Sequence, residues 1–520
     1  MKTIDQMSLR DKIGQMFVTG FPSKELSADM KEVIEQYKVG NMILFSHNIE
    51  NKYQLGALVT ELQQWFTSHT GVPGFITIDQ EGGRVTRMPK DATNVAGAMA
   101  IASSGRPENA YAAGRMTARE LRALGINFNL APVMDVNNNA MNPVINVRSY
   151  GDTAQKVIEY GIPMMKGLLD GGVMATLKHF PGHGDTNTDS HIGLPVIEKT
   201  LEELEELELL PFKAAIEQGA QAIMSAHILF PKIEKSGVPG TMSYTIITEL
   251  LKEKLGYQGL VVSDCMEMAA IKQYYGTAQG ALAAVKAGVD LVFISHTPSV
   301  VKEAVHLIEE AVAAGDLDEA IIDAAVTKIL AYKAQYAVIE DLNDEIVGCD
   351  VHRRANERMR TETICRINGE IEPVRIGDEQ VLFMGSYSYR SDLASSSVNQ
   401  EFSFPHYMGE RFQAAYEVVD IDPSEEQLNA ALHKARGYKH VVFGLFNARE
   451  NKGQLALVRK LLEAGCKVTA ITLGRPYDLA LIEGEFCGLS AFEYSADAFQ
   501  SLIPILKGEL EPTANITIQL

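Results

Sequence analysis

The sequence predicts an α/β protein, with a (β/α)₈ TIM-type barrel followed by a smaller α/β domain with an open sheet. Eight short apolar runs alternate with longer amphipathic runs between residues 15 and 313, which is the alternation that a barrel of parallel strands requires. Polar and titratable residues follow several of these runs directly, and active sites of this fold lie at the carboxyl ends of the strands. A doubly wound open sheet is the alternative, because the strand count depends on where each boundary is drawn.

The first domain is predicted to span residues 1–337. Its strands are the short apolar runs, whose length suits buried strands. They lie at 15–19, 41–45, 74–79, 128–133, 173–178, 222–226, 260–264 and 290–295. Helical patterns lie between most of them, at 28–37, 52–67, 109–124, 155–169, 201–218, 248–255, 278–287 and 300–313, and a further helix begins at Asp316 and continues to Tyr336.

The alternating pattern restarts after a charged stretch. We predict that residues 338–375 form a linker and that residues 376–520 form a C-terminal α/β domain. Its predicted strands are 381–385, 416–421, 440–445, 467–473 and 489–494, and its helices are 425–435, 454–464 and 496–506. This order favours an open parallel sheet. The one candidate for a phosphate-binding loop, at 474–477, lacks the required glycine spacing.

The composition limits the partners and the compartment. The 520 residues carry a net charge of −20, which argues against a nucleic acid or an anionic membrane as partner. The five cysteines are scattered without a CxxC pair, which is typical of reduced thiols. The sequence shows neither a secretory signal pattern nor an apolar run long enough for a membrane span. We therefore expect a soluble, cytoplasmic protein that is a monomer or a homodimer.

The loop 178–195 follows a predicted buried strand and concentrates titratable groups. Three interpretations compete: a solvated polar loop, a metal site, and acid–base catalysis by Asp189 and His191. The possible metal ligands are His179, His183, Asp185, Asp189 and His191. Their spacing matches no short metal motif. A carboxylate two residues from a histidine, however, can hold one ring nitrogen and leave the other facing a substrate.

A second carboxylate, Asp264, comes directly after the seventh predicted strand. It could cap the helix that follows. It could also be a nucleophile at the barrel mouth. Glycosidic cleavage needs an acid for the leaving oxygen and a carboxylate for the oxocarbenium-like carbon, and His191 and Asp264 would supply these two groups.

Five segments of the first domain resemble glycoside hydrolase family 3. They are 78–85 (Ile-Asp-Gln-Glu-Gly-Gly-Arg-Val), 131–136 (Ala-Pro-Val-Met-Asp-Val), 146–151 (Asn-Val-Arg-Ser-Tyr-Gly), 178–186 (Lys-His-Phe-Pro-Gly-His-Gly-Asp-Thr) and 262–268 (Val-Ser-Asp-Cys-Met-Glu-Met). The ending Asp189-Ser-His191 is similar to the β-N-acetylglucosaminidase branch of that family. The second domain resembles the C-terminal α/β domain of its longer members.

The resemblance implies a role for each residue that matches the family pattern. Asp264 would be the nucleophile and His191 the general acid/base, with Asp189 completing a dyad. The residues that would hold the non-reducing N-acetylglucosamine are Asp79, Arg87, Arg148, Lys178 and His179. Carboxylate acceptors and cationic donors suit the hydroxyl and acetamide groups of such a sugar. Because Asp189 favours the imidazolium form of His191, the same ring could protonate the leaving oxygen and later, when neutral, activate water.

These expectations predict a retaining exo-β-N-acetylglucosaminidase that needs no cofactor and no metal. It would act on short glycosides such as muropeptides or GlcNAc–MurNAc disaccharides, in peptidoglycan recycling. A β-N-acetylglucosaminide phosphorylase remains open, because a neutral imidazole does not repel phosphate as a carboxylate base would. Three further functions remain open. One is a β-glucosidase on the same fold, and the other two, from different classes, are a metal-dependent hydrolase and a non-catalytic carbohydrate-binding protein.

Overall fold

The computed structural model describes residues 1–338, 342–389, 395–396 and 401–520. Its first part forms a parallel sheet of eight strands. They are β1 (Phe17–Thr19), β2 (Asn41–Leu44), β3 (Phe75–Ile78), β4 (Phe128–Asn129), β5 (Met174–Phe180), β6 (Ala222–Ser225), β7 (Leu260–Ser263) and β8 (Val292–Ile294).

The eight strands form a barrel because they neighbour one another in chain order and β8 lies beside β1. Between β7 and β8, Ser263 N donates to Leu291 O at 2.9 Å and Asp290 N donates to Val261 O at 2.8 Å. Every residue of the eight strands is buried, as expected for a parallel sheet that is covered on both faces. The predicted (β/α)₈ barrel is confirmed.

Helices surround the barrel, and several begin at a side chain that caps the first turn. Ser27 and Thr153, for example, each accept a hydrogen bond from the backbone N–H three residues later. The helices of this part are Leu9–Gln15, Ala28–Tyr37, Lys52–Thr70, Ala98–Ser103, Pro107–Ala123, Ala154–Asp170, Leu201–Glu206, Leu209–Glu217, Thr245–Lys254, Ala269–Lys272, Thr277–Ala287, Pro298–Ala313 and Glu319–Tyr336. Across the described residues, none of the helices combines the length and the apolar composition that a bilayer crossing requires.

Two strands differ from their predicted bounds in a way that affects the barrel mouth. β4 ends at Asn129 and not at residue 133, since Pro132 has no N–H to donate to a neighbouring strand. β5 continues to Phe180, two residues beyond its predicted end. This extension places Lys178 and His179 within a buried strand, which holds both side chains more rigidly than a loop would.

The second part of the chain forms a sheet of six strands in the order β11-β10-β12-β13-β14-β9. The strands are β9 (Cys365–Asn368), β10 (Val381–Gly385), β11 (Ala415–Val418), β12 (His440–Leu445), β13 (Lys467–Thr472) and β14 (Cys487–Ser490). The helices are Asp350–Thr361, Phe404–Phe412, Glu425–Ala435, Gly453–Glu463 and Ala496–Leu506. The predicted α/β character of this part is confirmed.

Our expectation of an all-parallel second sheet is wrong at one edge, because β9 pairs antiparallel with β14. β9 was not predicted, because its four residues include the exposed Arg366 and Asn368 and therefore lack an apolar run. An antiparallel edge strand on an otherwise parallel sheet is common. Side chains alternate between the faces of this sheet: Phe383 and Val442 pack on one side, whereas Leu382 and Val441 pack on the other.

Helix Asp350–Thr361 lies in the segment predicted as a linker and joins the two sheets through buried polar contacts. At its first turn, the His352 ring lies 2.7 Å from the buried Glu120 carboxylate on the barrel side. At its last turn, Arg360 donates to Glu493 Oε2 at 3.0 Å and to Asn94 O at 2.9 Å. The helix thus bonds to both parts of the chain. The domain boundaries at 337 and 375 stay a prediction.

We predict that Arg360→Ala lowers the free energy of unfolding by about 3–5 kcal/mol, because it leaves the Glu493 carboxylate buried without its cation. The two side chains are 3% and 5% exposed. The matched control is Arg354→Ala on the same helix, whose side chain is 78% exposed and 3.9 Å from Asp350. The control should change stability by no more than about 0.5 kcal/mol. Urea denaturation followed by circular dichroism measures both, and equal midpoints would contradict the prediction.

Candidate active site

A cavity of about 520 Å³ opens at the carboxyl ends of the barrel strands. Its size is in the range of sites for small organic ligands. Seven of the eight residues predicted for the site line it, namely Asp79, Arg87, Arg148, Lys178, His179, His191 and Asp264. The eighth, Asp189, is buried behind His191. The structure therefore brings all eight residues together at the end of the barrel where the fold places active sites.

Asp264 follows β7 directly and does not cap the next helix. That helix begins at Ala269 with Met268 as its N-cap residue, so the capping interpretation is wrong. Asp264 Oδ1 instead accepts a hydrogen bond of 2.7 Å from the N–H of Cys265. Burial opposes ionisation, but the neighbouring histidines His227, His179 and His191 and the Cys265 N–H outweigh it and lower the pKa of Asp264. The carboxylate is thus held ionised at the cavity wall.

His191 and Asp189 form a pair on the loop after β5. Asp189 Oδ1 lies 2.7 Å from His191 Nδ1 and also accepts from the His191 backbone N–H at 2.9 Å. Because a carboxylate only accepts, Nδ1 donates and Nε2 is left for the cavity. The Asp189 side chain is 4% exposed and the His191 ring 29%. Burial opposes ionisation of Asp189, but the hydrogen bond from His191 lowers the pKa of this carboxyl below its ordinary value.

Glu81, which the sequence analysis did not single out, organises the cationic side of the cavity. Arg148 binds its carboxylate in a bidentate manner, at 2.9 Å from Nε and 2.7 Å from Nη2. Lys178 Nζ lies 2.7 Å from Glu81 and 2.9 Å from Asp79. Although burial opposes ionisation, Arg148 and Lys178 hold the pKa of Glu81 far below its usual range. Glu81 lies two residues after Asp79 in the family-like segment 78–85, and this position could have identified it as a site residue.

His179 is fixed by Asp135, a second carboxylate that the sequence analysis left without a role. The His179 Nδ1 lies 2.7 Å from Asp135 Oδ2, and the backbone N–H groups of His179 and His183 also donate to this carboxylate. His183 Nδ1 lies 2.8 Å from the Thr186 hydroxyl. Burial, together with the charge of His179, lowers the pKa of His183 to about 4. His183 is therefore neutral and structural at neutral pH.

The loop residues considered as metal ligands are each engaged elsewhere. His179 bonds to Asp135 and Asp189 bonds to His191, while Asp185 lies 2.9 Å from Lys199 Nζ. Among the residues that the structure describes, no three His, Cys, Asp or Glu side chains converge as a metal site. The acid–base interpretation of the loop stays a prediction at this point.

The second domain contributes to the cavity wall through Ser395 and Ser396. Ser396 Oγ accepts from Arg87 Nη1 at 3.0 Å and from Thr86 N at 3.0 Å, and it donates to Thr86 O. The Ser396 N–H donates to Arg84 O at 3.0 Å. The second domain therefore holds the segment that carries Arg87. This contact could not be predicted from the sequence, because the two segments lie far apart in the chain.

The side of the cavity near β2 and β8 is aromatic. The Phe45 and His296 rings lie 4.9 Å apart between centroids, and Phe45 also stacks near His47 at 5.7 Å. His296 N donates to Glu267 Oε2 at 2.6 Å. These residues line the cavity but were absent from the predicted site. Their faces offer apolar contact beside the charged groups of β3 and β5.

A barrel whose mouth holds an ionised carboxylate and a carboxylate-bound histidine has the fold and the groups of a hydrolytic enzyme. The chain belongs to glycosyl hydrolase family 3, since residues 8–332 match the model of that family's N-terminal domain. The predicted family membership is confirmed, and so is the class of glycoside hydrolase to which the family belongs.

The chain is similar in sequence to two bacterial beta-hexosaminidases. The chain is 40% identical over 282 residues to beta-hexosaminidase A of Pseudoalteromonas piscicida, a match that covers 51% of this chain and 47% of that protein. The chain thus spans about half the length of that relative. It is 34% identical over 287 residues to a beta-hexosaminidase of Methylococcus capsulatus, covering 55% of this chain and 84% of that protein.

Solved structures extend the likeness to the second domain. A glycoside hydrolase family 3 beta-N-acetylglucosaminidase from Paenibacillus sp. str. FPU-7 superposes with a TM-score of 0.92 at 35% identity, over 99% of both chains. A beta-glucoside phosphorylase superposes with a TM-score of 0.83 over 99% of this chain and 95% of that chain. At 18% identity the latter shows the shared fold alone.

We predict that Glu81→Gln lowers kcat/KM about 10²-fold without unfolding the protein. The substitution keeps the shape of the side chain but removes the charge that fixes Arg148 and Lys178. Misplacing binding groups lowers reaction rates by factors of this order. The control is Glu50→Gln, whose ion pair with Lys24 at 2.8 Å is exposed. Steady-state kinetics on an aryl glycoside, with circular dichroism to check the fold, provide the test. Wild-type kinetics in Glu81→Gln would show that Glu81 has no positioning role.

Proposed function

We propose that this protein is a retaining exo-β-N-acetylglucosaminidase. It removes terminal non-reducing N-acetylglucosamine from short glycosides such as muropeptides or GlcNAc–MurNAc disaccharides. The observation that carries the proposal is the presence, in one cavity, of ionised Asp264 and of His191 bound to Asp189. Relatives named beta-hexosaminidase and beta-N-acetylglucosaminidase support the choice of sugar.

In the first step, Asp264 attacks the anomeric carbon. The bond between this carbon and the leaving oxygen breaks as a bond to an Asp264 carboxylate oxygen forms, and His191 Nε2 gives its proton to the leaving oxygen. Asp189 orients the ring for this transfer, because Nδ1–H donates to the carboxylate and Nε2 is left facing the cavity. The products are a free aglycone alcohol, a glycosyl ester on Asp264 and a neutral His191.

In the second step, neutral His191 accepts a proton from water through Nε2. The resulting hydroxide attacks the anomeric carbon from the face that the aglycone left, and the ester bond to Asp264 breaks. His191 returns to the imidazolium form and Asp264 to the carboxylate. Two inversions give net retention at the anomeric carbon.

The charged side of the cavity suits the hydroxyl groups of a sugar. Asp79 offers carboxylate oxygens as acceptors, whereas Lys178 and Arg148 offer N–H donors. His179, held through Nδ1 by Asp135, presents its other ring nitrogen. Arg87 lies in the same wall. Fixed ion pairs pre-organise these groups, so that little reorganisation is needed when the sugar binds.

The proposal includes a cytoplasmic location and a reaction that needs neither a metal nor a cofactor. The negative net charge of the chain supports the absence of a nucleic acid partner. The acceptor in the second step is water in this proposal. Phosphate is the competing acceptor, because a neutral imidazole does not repel an anion.

We predict that the protein releases N-acetylglucosamine from its 4-nitrophenyl β-glycoside at equal rates with and without phosphate, and that EDTA leaves the rate unchanged. The β-glucoside of the same phenol is the matched control and should react far more slowly. Formation of N-acetylglucosamine 1-phosphate, identified by mass spectrometry, would establish a phosphorylase instead. Loss of activity with EDTA and recovery with zinc or manganese would establish the metal-dependent alternative.

Asp264→Ala should abolish turnover without unfolding the protein, because no other group would form the glycosyl ester. A 5-fluoro N-acetylglucosaminide with an activated leaving group should trap that ester in the wild type, and peptide mass spectrometry should find it on Asp264. Glu267 also lines the cavity and is the natural control. Glu267→Gln should still be labelled on Asp264, and a label on Glu267 in the wild type would contradict the assignment.

His191 and Asp189 should act as one unit, so the double alanine variant should be only slightly worse than the worse single variant. In His191→Ala, kcat/KM should fall most for glycosides with poor leaving groups, because their cleavage depends on protonation of the leaving oxygen. Azide should restore part of the turnover of activated glycosides. The measurement is kcat/KM across a series of aryl glycosides, plotted against the pKa of the leaving phenol. A slope no steeper than that of the wild type would rule out the dyad.

A further inference from the structure

His227, two residues after the end of β6, is a buried histidine that the proposed chemistry does not use. Its residue exposure is 1%, and it does not line the cavity. Its Nε2 lies 3.0 Å from the carbonyl oxygen of Cys265, the residue next to Asp264. Because a carbonyl oxygen only accepts, Nε2 carries the proton. His227 therefore donates to the backbone immediately beyond the nucleophile.

The other ring nitrogen of His227 joins a chain of buried hydroxyls. His227 Nδ1 lies 2.9 Å from Thr241 Oγ1, and Thr241 Oγ1 lies 2.9 Å from Ser225 Oγ. A neutral ring with its proton on Nε2 accepts at Nδ1, so Thr241 donates to His227 and accepts from Ser225. Each hydroxyl proton then has an acceptor, and the chain runs in one direction from Ser225 to the Cys265 carbonyl.

A charged His227 would break this order. Both ring nitrogens would then donate, so Thr241 would have to donate to Ser225 Oγ and Ser225 to the carbonyl oxygen of Val262. The contact between Ser225 Oγ and Val262 O is 3.3 Å, longer than the 2.9 Å contacts of the first arrangement, so this arrangement is less favourable. Burial also lowers the pKa of His227, despite the nearby charge of Asp264. Both considerations favour the neutral ring.

The Cys265 peptide groups connect this chain to the nucleophile. The N–H of Cys265 donates to Asp264 Oδ1 at 2.7 Å, and the N–H of Met266 donates to Phe293 O at 2.8 Å. With the Cys265 carbonyl bound by His227, the turn is fixed on both sides. Oδ1 is occupied by the Cys265 N–H, and among the described residues nothing hydrogen-bonds to Oδ2. The turn therefore leaves one carboxylate oxygen for the substrate.

We propose that His227, aligned by Thr241 and Ser225, is a positioning residue that holds the Cys265 turn so that Oδ2 of Asp264 faces the anomeric carbon. This inference rests on the proposed function, in which Asp264 is the nucleophile. His227 acts through the backbone and touches neither the substrate nor the reacting atoms. A purely space-filling role would require only a side chain of similar volume, and the two roles give different kinetics.

The test compares His227→Leu, which removes the donor, with His227→Gln, whose side-chain amide can still donate to the Cys265 carbonyl. The matched control is His440→Gln in the second domain, where a buried histidine also lies 2.9 Å from a threonine hydroxyl, that of Thr469. The probe is a 5-fluoro N-acetylglucosaminide with an activated leaving group, which keeps the acetamido group at C2. Two quantities are measured by intact-protein mass spectrometry: the second-order rate constant of labelling and the final labelled fraction.

We expect His227→Leu to label about 10²-fold more slowly than the wild type, since small misplacements of reacting groups have effects of this order. Its final labelled fraction should still reach that of the wild type. His227→Gln should lose no more than about 10-fold, and His440→Gln should match the wild type. ¹⁵N NMR of the wild type should show the His227 proton on Nε2. Should His227→Leu fail to fold, Thr241→Val, which removes the hydroxyl that aligns the ring, replaces it with an expected loss of about 10-fold.

Other outcomes overturn the inference. Equal labelling rates in His227→Leu and the wild type would show that the donor has no role. A labelled fraction that falls in proportion to the rate would show that His227 only maintains the fold. A proton on Nδ1 would contradict the direction of the chain. If the wild type takes no label on Asp264, both the proposed nucleophile and this inference are wrong. In each of the other outcomes the wild type is labelled on Asp264, and only the role of His227 is contradicted.

Discussion

The pairing of Glu81 with Arg148 and Lys178 is the constraint on which the cavity depends. Arg148 and Lys178 are both cations at the barrel mouth, and two cations buried side by side repel each other and lose their hydration. One buried carboxylate between them offsets both effects, and its bidentate bond to Arg148 also fixes the plane of the guanidinium. Asp79 accepts from Lys178 through Oδ1, and in the proposed function its other oxygen binds a substrate hydroxyl. The barrel mouth is thus charged and rigid before any ligand arrives.

Four histidines in or near the cavity are each held through Nδ1 by a neighbouring side chain, but the type of side chain differs. His179 and His191 each bond through Nδ1 to a carboxylate, whereas His183 and His227 each bond through Nδ1 to a threonine hydroxyl. A carboxylate stabilises a proton shared with the ring, but a threonine hydroxyl can simply donate to a neutral ring. The partner therefore separates His179 and His191, which are proposed to act on the sugar, from His183 and His227, which hold the structure.

Much of the fold and most of the site could be predicted from the sequence, for reasons that particular residues illustrate. Buried parallel strands are apolar along their whole length, and so all eight barrel strands were visible as apolar runs. Asp264, His191 and Asp189 belong to short segments with a strong resemblance. Glu81 and Asp135 were missed because their role depends on which cations and rings lie near them in three dimensions. β9 was missed because an edge strand need not be apolar, and β4 is short because Pro132 cannot donate to the ladder.

The two groups proposed for the chemistry are attached to the fold in opposite ways. Asp264 lies at the end of a barrel strand, and hydrogen bonds to β6 and β8 fix the turn that follows it. His191 lies on a loop, and its ring is partly exposed although Asp189 is buried. A nucleophile must keep one position relative to the anomeric carbon through both steps. The acid/base must first protonate the leaving oxygen and then deprotonate a water that enters the space the oxygen leaves. Attachment through a loop allows the small movement between these two positions. The barrel supplies the fixed half of this site, and the loop after β5 supplies the adaptable half.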